Sequence, residues 1–218
     1  RRLTSMDATH FGTLYQSLLR AAAKYPDRPA YAVPPMPGRS YHPDGWEVTW
    51  AQTLAAVEAK KTLYARAGFG RGHRVAILFN QRPEFFFHYY ALNALGTSVV
   101  PVNPDYRRDE IHYVVEHSEA NLVLGIDDRA DDLRAVCREI GPNCPFVSFD
   151  HFPDAVPSPA TPAQPGEPDA LTEAALLYTS GTTGRPKGCI LTNEYFHTFG
   201  QCYLDLGGRV AMREGEER

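Results

Sequence analysis

Between Leu176 and Asn193 the chain reads LLYTSGTTGRPKGCILTN. Thr179, Ser180, Thr182 and Thr183 gather hydroxyl groups within one short stretch. Gly181, Gly184 and Gly188 interrupt them, and without a Cβ they let backbone amides approach a ligand closely. Lys187 adds one full positive charge, and Pro186 stiffens the backbone just before it. A polyphosphate asks for this combination, because its oxygens take many N–H and O–H donors and a cation. The spacing differs from that of the G-x-x-x-x-G-K-S/T loop, whose lysine opens a helix; here Lys187 precedes Gly188 and a strand-like run, CILT. An exposed Ser/Thr/Gly hairpin with no ligand has the same composition, so composition alone leaves both readings open.

The elements around this stretch alternate between helix and strand. Leu14, Leu18 and Ala22 recur every fourth position and predict a helix over residues 11–25. AYAV reads as a short strand, and PPMPGRSYHPDG as loop. Thr49-Trp50-Ala51-Gln52 has the pattern of a capping box, opening a helix that runs to Ala67 and stops at Gly68. RVAILF reads as a buried strand. Pro83 suits the first turn of a helix ending near Leu95, and TSVVPV is the next strand. Arg107 to Ser118 reads as helix with Ile111, Val114 and Val115 on one face, followed by strand NLVLGI, a helix over 130–140 and strand PFVSF. Strands separated by single helices imply crossovers and a mostly parallel sheet, an α/β fold. Pro153, Pro157, Pro159, Pro162, Pro165 and Pro168 mark an extended connector. AALLY then leads as a strand into the hydroxyl-rich loop. Asn193 reads as the N-cap of a last helix whose buried face carries Tyr195, Phe196, Phe199 and Tyr203. The expected division is an α/β subdomain over 1–152, a connector over 153–169, and the start of a second subdomain over 170–218.

Bulk properties narrow the function classes. The chain has 218 residues, 43% of them hydrophobic and 22% charged, as in an ordinary globular protein. A net charge of −4 argues against a nucleic-acid partner. Cys137, Cys144, Cys189 and Cys202 lack metal-type spacing and read as reduced thiols, which points to the cytoplasm. No apolar run is long enough to span a bilayer. His88, His112 and His117 fall on predicted helices without a ligand cluster and read as packing or surface residues. The aromatic run EFFFHYY reads as core. Asp127, Asp128, Asp131 and Asp132 read as the solvated start of a helix, favoured by its dipole, and no metal site is expected.

The order of residues in YTSGTTGRPKG is more specific than their composition. It resembles the phosphate-loop signature of the adenylate-forming superfamily, which holds acyl-CoA synthetases, luciferases and peptide-synthetase adenylation domains. The upstream stretch RVAILFNQRPEFFFHYYALNALGTSVVPVNPDYRRDEIHYVVEHSEANLVL is similar to the N-terminal part of acyl-CoA ligases. The resemblance covers nearly the whole chain. It implies an AMP-forming acid–CoA ligase that joins a carboxylic acid to ATP as an acyl-adenylate, releases pyrophosphate, and passes the acyl group to coenzyme A. On the same resemblance Thr179, Ser180, Gly181, Thr182, Thr183 and Gly184 cradle the β- and γ-phosphates, Lys187 neutralises them as the catalytic cation, and Mg²⁺ bridges them. Many family members carry His where this chain has Asn193, which reads as a structural variant.

The resemblance also implies what lies elsewhere in such enzymes: an adenine motif, a ribose-binding Asp and a C-terminal domain with a catalytic Lys. None of these motifs occurs in this chain. The expectation is therefore the first portion of a ligase, inactive by itself, with a homodimer compatible with the reading. NPDYRRDEIHYVVEHSEA and LTNEYF resemble medium- or long-chain fatty acid ligases and crotonobetaine/carnitine-type ligases. Two other readings stand beside this one: an adenylation enzyme that loads a carrier protein, and a non-catalytic binding module that keeps only fold and loop.

Overall fold

The first two long helices both start on capping boxes, of which the sequence predicts the one at Thr49. The computed structural model describes residues 9–179 and 185–206. Helix α1 (Leu14–Lys24) starts on Thr13 and helix α2 (Trp50–Ala67) on Thr49, each threonine exchanging hydrogen bonds with a glutamine three residues on. Helix α2 ends at Gly68, whose φ of 91° is the left-handed conformation glycine adopts without penalty. Between these helices lies a small antiparallel ribbon, β1 (Pro29–Val33) with β2 (Trp46–Thr49). The AYAV strand was expected. Its partner Trp46–Thr49 was not, because four residues beside a Pro/Gly-rich loop carry little period-2 signal.

From Arg74 onward the chain follows the predicted alternation: β3 (Arg74–Leu78), α3 (Glu84–Ala94), β4 (Ser98–Pro101), α4 (Arg108–His117), β5 (Leu122–Gly125), α5 (Ala130–Ile140) and β6 (Phe146–Ser148). After the connector come β7 (Glu173–Thr179), β8 (Lys187–Thr192) and α6 (Asn193–Leu206). Six strands form one sheet in the order β6-β5-β3-β4-β7-β8, with every neighbouring pair parallel except β7 and β8. The chain leaves β3 to one side for β4 and then crosses back to β5 on the other. Right-handed crossovers in opposite directions put the connecting helices on opposite faces. Accordingly α1, α2 and α3 pack on one another, while α4 packs on α5.

This double cover explains why the central strands read as unbroken apolar runs rather than alternating ones. Val75 to Leu78 and all of β5 are buried. The proline-rich connector docks against the turn that precedes β3. Gln164 donates its N–H to the carbonyl of Arg71 at 2.9 Å, and Arg71 donates to the carbonyl of Pro165 at 2.9 Å. The buried His73 accepts the Gly70 N–H on Nδ1 at 3.1 Å, so its proton sits on Nε2 and is donated to the Thr161 carbonyl at 3.0 Å. Arg74 clasps Glu173 at the start of β7 through two bonds, at 2.8 and 2.9 Å. Among the described residues no helix is long and apolar enough to cross a membrane.

Candidate nucleotide site

Strand β7 runs parallel to β4, so its last residue, Thr179, emerges at the carboxyl edge of the sheet, where open α/β folds bind their ligands. Strand β8 returns antiparallel, and the first pair of its ladder is Thr179 opposite Lys187. A hydroxyl and a cation thus face each other across the mouth of a hairpin. Both residues are exposed. Among the described residues Lys187 has no carboxylate partner, so its charge is free for a ligand. Ser180, Gly181, Thr182, Thr183 and Gly184 lie outside the described residues.

Two sequence expectations change here. Strand β8 begins at Lys187, two residues earlier than CILT, because the ladder with β7 continues to the hairpin's mouth. Gly188 was expected to admit a ligand. It lies instead inside the strand opposite Tyr178, where an added Cβ would sit 3.0 Å from Leu176 Cδ1 and 3.4 Å from Tyr178 Cζ. Its small size makes room for those two side chains.

Helix α4 touches both sides of the hairpin. Tyr113 donates its hydroxyl to the Pro186 carbonyl at 3.0 Å, and the Arg185 guanidinium lies 5.3 Å from the Tyr113 ring centre. His117 Nδ1 shares a 2.7 Å hydrogen bond with the Tyr178 hydroxyl. Burial, followed by the neighbouring Tyr113 phenol, pushes the Tyr178 phenol up to about 12, so it stays protonated at neutral pH. These contacts were not read from the sequence. His117 is on the surface as expected, but nothing in HYVVEH reports which strand lies across from it.

At the far end of β8, Asn193 does not cap α6. The Thr192 hydroxyl takes that place, accepting the Tyr195 N–H at 3.3 Å. Asn193 is fully buried. Its Oδ1 accepts the Leu14 N–H at 3.0 Å and the Asn93 side chain at 2.8 Å. Its Nδ2 donates to the carbonyls of Asp169 at 2.9 Å and Thr172 at 3.2 Å. Asn93 in turn accepts the Tyr15 N–H at 3.0 Å. The three leading amides of α1 are therefore capped by Asn193, Asn93 and Thr13. Four segments meet on one side chain, a structural role that fits the expectation for this position.

The other candidates keep their structural readings. His88 is buried, bonds the Tyr64 hydroxyl at 2.8 Å and lies among Phe79, Phe149 and Phe152. Burial, then the charge of Lys60, holds its pKa well below the usual histidine value. His112 lies 3.8 Å from Glu116 and from Glu139. Asp127 accepts from Ser148 Oγ at 2.5 Å and pairs with His151 at 2.7 Å, and the Ser148 bond leads in keeping its carboxyl below the usual range. Cys137, Cys144, Cys189 and Cys202 are free thiols.

The model of the AMP-binding enzyme family matches residues 18–213. The chain belongs to that family. Among its relatives, this AMP-binding chain is 34% identical over 190 residues to a sulfoacetate–CoA ligase from Cupriavidus necator, which spans 84% of the chain and 35% of that protein. It is 28% identical over 161 residues to a crotonobetaine/carnitine–CoA ligase from Citrobacter koseri, spanning 67% of the chain and 31% of that protein. The crystal structure of a long-chain-fatty-acid–CoA ligase from Archaeoglobus fulgidus shares the fold, with a TM-score of 0.73 at 18% identity over 88% of this chain and 39% of that one. The chain thus spans about a third of the length of the curated relatives it matches.

Proposed function

We propose that the protein carrying this chain is an AMP-forming acid–CoA ligase, and that the β7–β8 hairpin supplies its phosphate-binding loop. The observation that carries this reading is Lys187, without a carboxylate partner among the described residues, facing Thr179 at the carboxyl edge of the sheet in a chain of this family. A carboxylate oxygen of the acid attacks the α-phosphorus of ATP, and the bond to pyrophosphate breaks. The substrate is its own nucleophile, so the protein needs no Ser–His pair. It must hold the reactants in line and stabilise charge on the departing pyrophosphate. Lys187 supplies the cation, and Thr179, Ser180, Gly181, Thr182, Thr183 and Gly184 supply donors around the β- and γ-phosphates. Coenzyme A then takes the acyl group from the adenylate.

Mg²⁺ fits as an ion carried on the phosphates, the mode in which it keeps most of its waters. Among the described residues no cluster of three His, Cys, Asp or Glu side chains would hold it alone. Bound there, it would neutralise phosphate charge beside Lys187. The acid is proposed to be fatty or crotonobetaine/carnitine-like; the relatives named for crotonobetaine/carnitine and for sulfoacetate support a carboxylic acid in general. The boundary at the 153–169 connector, a cytoplasmic location and a homodimer remain part of this proposal.

The test is pyrophosphate release by the whole protein with saturating acid, for wild type and Lys187→Ala. Loss of one preorganised contact to developing charge costs about 3 kcal/mol, roughly a hundredfold in rate. The exposed position predicts a stability change within about half a kcal/mol in a parallel melt. Unchanged release removes Lys187 from the site, and a collapsed melt makes its role structural.

A further inference from the structure

The adenylation reading leaves open what holds Lys187 in place. Among the described residues strand β8 ends the sheet and pairs with β7 alone. Lys187, Gly188, Cys189 and Ile190 are all exposed, so core burial does not fix this part of the strand. The Thr179–Lys187 pair is the last rung among the described residues, at the loop end where a hairpin frays most easily.

We propose that Tyr113 and His117 of α4 are positioning residues that set the phosphate loop from its two stems. The proposal rests on the adenylation reading. The two residues lie one helical turn apart and so share a face of α4. His117 holds Tyr178, the residue before Thr179, and Tyr113 holds Pro186, the residue before Lys187. The second bond has a direct geometric effect. The Pro186 carbonyl and the Lys187 N–H belong to one planar peptide unit, so anchoring the oxygen fixes the direction of the amide where the loop re-enters the strand. The Tyr113 ring gathers the stems further. Arg185 stacks on it at 5.3 Å, Tyr178 meets it edge-on at 6.4 Å, and His117 lies 5.2 Å away. Neither helical residue reaches the hairpin's mouth through the contacts described. Both act through Tyr178, Arg185 and Pro186, and a loosened stem spreads the positions open to the Lys187 ammonium.

Tyr113→Phe deletes the hydroxyl and keeps the ring under Arg185; Tyr178→Phe deletes the other anchor. In the whole protein each is expected to raise KM for ATP about tenfold, the scale of one lost hydrogen bond, with KM for the acid and the thermal melt unchanged. Tyr113→Leu, which also removes the ring, is expected to raise it further. A purely structural role would move both KM values and the melt together. Hydrogen exchange over 185–190, without nucleotide, is the second measurement, and Tyr113→Phe is expected to speed exchange of the Lys187 amide. A wild type that releases no pyrophosphate with any acid sinks the adenylation reading, and exchange still decides the stem contact. Unchanged exchange, or an unchanged KM for ATP in both phenylalanine variants of an active enzyme, overturns the positioning role.

Discussion

The strands at the centre of the sheet and the hairpin at its edge are held by different forces. Strand β5 is buried along its whole length and flanked by strands on both sides. Its position follows from apolar area removed from water, a non-directional effect that tolerates small errors in angle. Strand β8 shows solvent most of its side chains and has one neighbour among the described residues. Its position follows from ladder bonds, the Tyr113 and His117 contacts, and the Asn193 knot at its far end, all of which are directional. A ligand-binding edge gains from the second arrangement. Exposed donors stay available, and the bonds that orient them lie behind the site rather than in it.

The sharpest contrast comes from truncating each region. Leu124→Ala, at a position with no exposure, is expected to cost about 3 kcal/mol in a chemical denaturation, transfer and cavity terms together. A cost below about 1 kcal/mol would break the view of β5 as burial-held. Asn193→Ala tests the directional side. It strips partners from the Leu14 amide, the Asn93 side chain and the Asp169 carbonyl, and about 2 kcal/mol is expected, with α1 the first element to lose exchange protection. A neutral substitution would mean that water replaces the side chain at no cost.

Acid titration adds a smaller effect on the buried side. His88 has a depressed pKa in the folded protein against a usual value of 6.5, so the unfolded chain takes up its proton first as pH falls. Stability from this group is complete above 6.5 and declines below it, by at most about 1.4 kcal/mol per pH unit, until the folded value is reached. The partly buried His197 shifts in the same direction. His88→Gln should flatten the urea midpoint between neutral and mildly acid pH; an unaltered profile would assign the slope to other groups. The smallest effect belongs to the hairpin's surface. Ile190→Ala, at 60% exposure, is expected to change stability by no more than about half a kcal/mol. A larger loss would show that β8 buries this side chain against something in solution.

The two regions were also unequally legible. The central strands and their helices follow from patterns confined to short windows: the run RVAILF, the Thr49–Gln52 capping box and the Gly68 stop all appear where those windows place them. The hydroxyl-rich loop stands out by residue order, and the proposed pairing of Lys187 with polyphosphate chemistry rests on that order. What escaped were relations between distant positions. Tyr113 and Pro186 are 73 residues apart, His117 and Tyr178 are 61 apart, and no local pattern records that α4 lies beside the hairpin. Gly188 misled for a related reason. A glycine beside a loop signals backbone freedom, yet this one serves the volume of side chains on the neighbouring strand. Asn193 was placed correctly as structural, but its local preference for a helix start hid that the helix it caps is α1.

That last feature bears on the protein's synthesis. During synthesis α1 is made before its partners: the acceptor for the Leu14 amide arrives 179 residues later and that for Tyr15 arrives 78 later. Until Asn93 is made the helix has Thr13 alone at its leading end, and the Leu14 amide waits for the start of α6. The leading turn of α1 is therefore completed late in vectorial folding, and until then α1 is an exposed amphipathic helix that chaperones can bind. The cap of α1 closes only when β8 and Asn193 are in place.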